Sequence, residues 1–265
     1  MVWMQQNDFV GFDIRDATVD QIKMLINAGV KVGSVDLPQP WSDLTRADAA
    51  KRNDAAQRAA EYVKPIAALG PKNFFSSDWP TIRLSRVRRS SPRPSMATVS
   101  SARRSAPAGR GWSLKAGPGM SQPWPARRRI VAPFLMSYPN GRAGINFDPS
   151  HLIRMGIDPV PFLEEFAPKV YHVHGKDAKI ICEQLQEHGH QLPPTFVERR
   201  PYSGFYWRYT IPGHGSAHWS RLLAILQEVG YQGMISIELE DANFHGDEAI
   251  EKKGLMAARD FLVNC

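Results

Sequence analysis

The chain has 265 residues, 43% of them apolar and 10% aromatic, enough to bury one sizeable core and suited to a single (β/α)8 barrel domain over 1–265. Its apolar runs, such as 229–237, are broken by Gly and Gln and fall well short of the roughly 20 residues that cross a bilayer, which argues against a transmembrane helix. The net charge of +7 is local: residues 79–147 hold 13 of the 33 Lys and Arg and no Asp or Glu, leaving 20 basic against 26 acidic residues elsewhere, so a general nucleic-acid surface is not indicated.

The first residues, MVWMQQNDFV, lack the basic patch, apolar core and small-residue cleavage site of a secretory signal. Cys182 and Cys265 form no CxxC pair, which favours a reducing, cytoplasmic setting without disulfides. The stretch DFVGFDI (8–14) predicts a strand, and Asp16 or Thr18 can cap a helix that ends at Gly29. VKVGSVDL predicts the next strand, 42–70 a long Ala-rich helix bent near Pro65 and stopped by Gly70, and KNFFSS a third strand. This β-α-β-α-β order implies parallel strands joined by helical crossovers.

Between about Thr81 and Ala132 the sequence follows neither a period of 2 nor one of 3.6 and is dominated by Arg, Ser, Pro, Ala and Gly. It reads as a solvated basic insertion, a nucleic-acid-binding arm, or a helix and strand translated out of frame from GC-rich codons; the last is favoured. A further strand is expected near Trp112 to Ala116. Beyond it come a strand AGINFD, a helix PVPFLEEFA, a strand KVYHVHGKD, an excursion over 178–212, a helix AHWSRLLAILQEVG capped by Ser216, a strand GMISIELED and a final helix over 247–262.

Side chains of a strand alternate between its two faces. Gly144, Asn146 and Asp148 therefore share a face, as do Val170, His172 and His174, and Met234, Ser236, Glu238 and Glu240. Each strand carries an acid or imidazole toward its C-terminal end, where a β/α barrel places its site. Asp148, His174 and Glu238 make a hard, mostly oxygen-donating set suited to Mn²⁺ or Mg²⁺, with Co²⁺ or Zn²⁺ tolerated. His172 is evenly balanced between ligand and packing, and Glu240 is expected outside the ligand set or exposed.

GINFDPSHL, VYHVHGKD, WRYTIPGHG and GMISIELED, in this order and spacing, resemble the sugar phosphate isomerase/epimerase family of the xylose isomerase-like TIM barrels. The resemblance is good over about 133–262, fair over 8–80 and absent from 81–132. It implies a barrel that holds a divalent metal through Asp148, His174 and Glu238 together with a Glu on strand five. It also implies that His151 faces the substrate or supports the metal, and that Lys176, Arg208 and His214 bind substrate. The implied reaction moves a proton next to a sugar carbonyl through an enediolate, with Glu238 and the strand-five Glu on opposite sides.

Two departures accompany it. No Glu occurs between Glu61 and Glu164, where the strand-five ligand should fall, and DFVGFDI fits the family's second strand, so the first strand and helix are expected to be missing. Two other readings follow. One is an apurinic-endonuclease-like nuclease, disfavoured because Trp207 and Tyr209 stand where such enzymes hold an Asp-x-His pair. The other is an inactive metal- or sugar-binding relic. The expected partner is a small sugar or sugar phosphate, not nucleic acid or a membrane; homo-oligomerisation stays open.

Overall fold

The structure, a computed structural model, describes residues 2–15, 17–37, 48–76, 111–115, 143–190 and 201–265. The described residues fall into two compact units, one within 11–117 and 125–144 and the other within 1–10, 118–124 and 145–265. Except for 111–115, the aberrant stretch lies outside the described residues, and so does 191–200 of the later excursion.

The first unit contains strands β1 (Gly11–Ile14), β2 (Lys31–Asp36), β3 (Asn73–Ser76) and β4 (Gly111–Lys115), paired in that order and all parallel. Helices α2 (Val19–Asn27) and α3 (Ala49–Ala68) make the crossovers; a short α1 (Val2–Gln6), which the sequence did not suggest, precedes them in the other unit. Thr18 is the cap of α2. The Gln21 amide donates to its hydroxyl (3.2 Å) and its own N–H donates to the Gln21 side chain (2.8 Å), so two otherwise orphaned donors are satisfied reciprocally. Ile22, Val35, Leu37, Val63, Ile66 and Phe74 form the core between sheet and helices. The strand expected near Trp112 is β4, and α3 begins at Ala49 under an Asp48 cap rather than at 42.

The second unit is built on β5 (Ala143–Phe147), which enters it at Ile145, and on β6 (Val170–Gly175) and β9 (Ile235–Ile237), again parallel. Asn146 pairs with His172, and His174 with Ser236. This register puts the polar faces of the three strands on one side of the sheet. Ile145, Phe147 and Val173 point the other way and are buried. There α4 (Pro149–Ile153) and α5 (Pro159–Phe166) follow the sheet, with Phe147 stacked on Phe162 at 6.0 Å. Both helices open with Asp-Pro. The Asp caps the helix, and the proline occupies the first turn, where its missing N–H costs nothing.

The excursion after β6 is a two-stranded antiparallel ribbon, β7 (Asp177–Ile180) with β8 (Trp207–Thr210), enclosing α6 (Cys182–His188). Helices α7 (Trp219–Glu228) and α8 (Glu248–Asn264) complete the unit. Two expectations need correcting. The cap of α7 is His218 and makes no side-chain bond, because the chain at Ala217 is held from the other side, by Asp177. And β9 stops at Ile237 instead of 240, because Glu238 and Glu240 turn toward a buried lysine, leaving the ladder. Among the described residues no helix is long and apolar enough to cross a membrane.

Candidate metal centre

Asp148 is both the cap of α4 and a buried acid of the second unit. Its Oδ1 accepts from the Ser150 amide (3.0 Å) and the Ser150 hydroxyl (2.5 Å). That fixes the carboxylate plane and turns Oδ2 toward β6. There Oδ2 lies 3.8 Å from His174 Nδ1, 3.2 Å from His151 Nε2 and 3.4 Å from Lys176 Nζ. Glu238 Oε1 is 2.9 Å from His174 Nδ1. One donor atom each of Asp148, His174 and Glu238 falls within 4.8 Å of the others, the size of a shell around one ion.

Lys176 is fully buried beside them and bridges Glu238 Oε2 to Glu240 Oε2, the latter at 2.9 Å. Burial disfavours its ammonium, but the carboxylates of Asp148, Glu238 and Glu240 outweigh burial and hold it above the ordinary lysine value. Among the described residues, three carboxylates face the one ammonium of Lys176, an excess of negative charge that suits a divalent cation.

The partners of His174 fit the same ion. Its Nε2 meets Asn146 Nδ2 at 2.9 Å, while among the described residues Asn146 Oδ1 is buried with no hydrogen-bond partner. Turning that amide by half a revolution would let Oδ1 accept an Nε2–H and leave the Nδ1 lone pair for the cation, as ligating imidazoles require.

The other anticipated residues are placed as follows. His151 lies 3.2 Å from Asp148 through Nε2 and meets Tyr209 Oη through Nδ1 at 2.7 Å. His172 is buried with its ring edge-on to His174 at 5.5 Å. Arg208 sits 4.0 Å from the buried Asp241, and His214 is exposed near Phe244. Among the described residues no bond joins Arg208 or His214 to the acid cluster. Asn146, Ser150 and Tyr209 escaped notice as site residues. The helix cap DPS was a usable signal for Ser150; the cross-ribbon contact of Tyr209 had none.

Asp177 anchors the chain that runs past this cluster. Its Oδ1 accepts from the Ala178 (2.8 Å) and Ala217 (2.9 Å) amides and its Oδ2 from the Trp219 indole (3.2 Å). Burial pushes its carboxyl up, against the pull of these donors. A Cβ on Gly215 would stand 2.2 Å from Asp177 Oδ1 and 2.8 Å from the Ala178 nitrogen. Gly215→Ala is therefore expected to destabilise the chain by about 1–3 kcal/mol, read as a lower urea midpoint at unchanged slope.

A family model described as "Xylose isomerase-like TIM barrel" matches residues 135–265. YfiH of Bacillus subtilis (strain 168), an uncharacterised protein, is 33% identical over 109 residues, 40% of this chain and 34% of that one. An inosose dehydratase of Lacticaseibacillus casei is 27% identical over 99 residues, 37% of this chain and 31% of the enzyme. The matches thus span about a third of these relatives' length. Among solved structures, a xylose isomerase domain protein from Planctomyces limnophilus superposes with a TM-score of 0.64 at 18% identity, covering 98% of this chain and 89% of that one. A D-psicose 3-epimerase with D-tagatose from Clostridium cellulolyticum H10 gives 0.62 at 15%, covering 99% and 92%. The IolI protein with a bound zinc atom gives 0.57 at 14%, covering 98% and 88%. The fold is thus the α/β TIM barrel, and residues 135–265, about half of the chain, match the xylose isomerase-like TIM barrel family.

Proposed function

We propose that this chain is a metal-dependent sugar or sugar phosphate isomerase or epimerase that moves a proton on the carbon beside a carbonyl. The observation that carries this reading is the convergence of Asp148, His174 and Glu238, where among the described residues carboxylates outnumber the ammonium of Lys176. Inosose dehydratase and D-psicose 3-epimerase, among the similar proteins, support the substrate class, since both names denote reactions of polyhydroxylated carbonyl compounds.

Asp148, His174 and Glu238 would hold the cation, Mn²⁺ or Mg²⁺ by the hardness of the set, with Co²⁺ or Zn²⁺ also accepted. When bound, the cation supplies neutralisation of the negative charge that grows on the substrate oxygen as the proton leaves. Glu238 takes that proton. Of the two candidate carboxylate ligands it is the partly open one, at 24% side-chain exposure against 0% for Asp148, and can reach both cation and substrate. Lys176 pairs with Glu238 and fixes its second oxygen. Arg208, 30% exposed, and the exposed His214 are assigned to hydroxyl or phosphate groups of the substrate, and His151 to the support of Asp148.

The test is exchange of the α-proton for deuterium in ²H₂O, with Mn²⁺ and a panel of ketoses. Glu238→Gln is expected to slow exchange by about 10²–10⁴-fold, the worth of a positioned base. Unchanged exchange in that variant would remove Glu238 from the role. Metal uptake without any exchange in the unaltered protein would favour the inactive relic instead, a reading that the absence of Glu between Glu61 and Glu164 keeps specific.

A further inference from the structure

The residue that completes the cluster comes from the ribbon. We propose that Tyr209 is a positioning residue: its hydroxyl fixes the tautomer of His151, so that His151 turns an N–H toward Asp148 and holds Oδ2 at the cation position. The proposal rests on the metal-site reading above.

Tyr209 and His151 come from different elements, β8 and α4, and meet only because β7 and β8 pair with Ala178 opposite Tyr209. Tyr209 packs with Ile153 and Ala178 and against Trp207, with ring centroids 4.7 Å apart. Its ring lies edge-on to His151 at 5.5 Å, and its oxygen is 2.7 Å from Nδ1. His151 and Tyr209 are both buried. Burial drives the phenol well above its ordinary range, against the pull of Arg154 and Lys176, so the oxygen keeps its proton.

The direction of the bond follows from the far side of the ring. Nε2 lies 3.2 Å from a carboxylate oxygen, a charge contact without hydrogen-bond geometry, at a distance where a lone pair would be repelled and an N–H attracted. The ring proton therefore sits on Nε2, and Nδ1 accepts from Tyr209. Oδ1 of Asp148 is held by Ser150, and His151, His174 and Lys176 are among the groups whose charge sets where Oδ2 points. Without the Tyr209 hydroxyl the imidazole could take the other tautomer, place its lone pair against Oδ2 and push that ligand atom off the cation position.

The experiment uses the full chain with ¹⁵N-labelled histidine. In metal-free protein, two-bond ¹H–¹⁵N correlation spectra should give His151 as the Nε2–H tautomer; Tyr209→Phe, which keeps the ring and its packing, should give the Nδ1–H form or a mixture. Mn²⁺ affinity of Tyr209→Phe should fall about tenfold or more, the range for partners of a ligating group. Trp207→Phe, which disturbs the same apolar cluster without touching a hydrogen bond to His151, should leave the tautomer unchanged and the affinity within twofold. Retention of the Nε2–H form in Tyr209→Phe overturns the proposal, and so does a tautomer change with affinity within twofold. Equal losses in Trp207→Phe and Tyr209→Phe would reduce Tyr209 to packing and overturn it too. If the unaltered protein takes up no metal, the metal-site reading fails, while the spectra still decide the bond.

Discussion

Asp148→Ala is expected to abolish stoichiometric metal uptake, measured by elemental mass spectrometry after Mn²⁺ loading and desalting. The unaltered chain should retain about one ion per molecule, as one three-residue donor set would hold. The loss should exceed the roughly 10–100-fold that outer partners of a metal site are worth, because a ligand itself is removed. The same substitution also deletes the α4 cap, which alone costs about 0.5–2 kcal/mol of stability. Asp148→Asn separates the two effects. Asn caps a helix about as well as Asp and can keep the Ser150 bonds through Oδ1, but it puts an amide where Oδ2 faces His174 and Lys176. Metal loss in both variants, with near-normal melting only in Asp148→Asn, is the expected pattern. Retention of metal by Asp148→Asn would mean that Asp148 contributes structure and not coordination.

Lys176→Met should show the largest effect on stability. Methionine matches the stem of lysine in length, so packing changes little, but Asp148, Glu238 and Glu240 would lose the ammonium that bridges them. Leaving buried charge uncompensated costs about 3 kcal/mol here, the low end of the range for broken buried pairs, since Glu240 is 39% exposed and water screens its share. A divalent cation should restore part of that loss. Melting temperature should therefore rise with Mn²⁺ more steeply in Lys176→Met than in the unaltered chain, as expected for a ligand that binds only the folded state. Equal slopes in the two proteins would show that Lys176 and the cation do not answer to the same charges.

Much of the second unit was legible because its signals are local. Alternation along GINFD, YHVHG and MISIELE assigned Asn146, His174 and Glu238 to the polar side, and the register of Asn146 with His172 and of His174 with Ser236 agrees with it. Thr18 was one of two anticipated caps, and β4 emerged where a strand was expected within otherwise patternless sequence. Strand ends were less legible. Nothing local distinguishes ELE as ladder from ELE as ligand, and the lysine that draws both acids out of β9 lies more than sixty residues earlier, 62 from Glu238 and 64 from Glu240.

By itself, then, the sequence determined the strand-helix grammar of the barrel, the faces of its strands and the identities of three candidate ligands, because alternation, capping and Asp-Pro starts are set by near neighbours. The tertiary structure alone decided which charges meet. The burial of Lys176 among three carboxylates, the grip of Ser150 on one oxygen of Asp148, and the reach of Tyr209 across the ribbon to His151 depend on distances between residues far apart in the chain. Such distances follow from strand register and helix packing, and only folding fixes those.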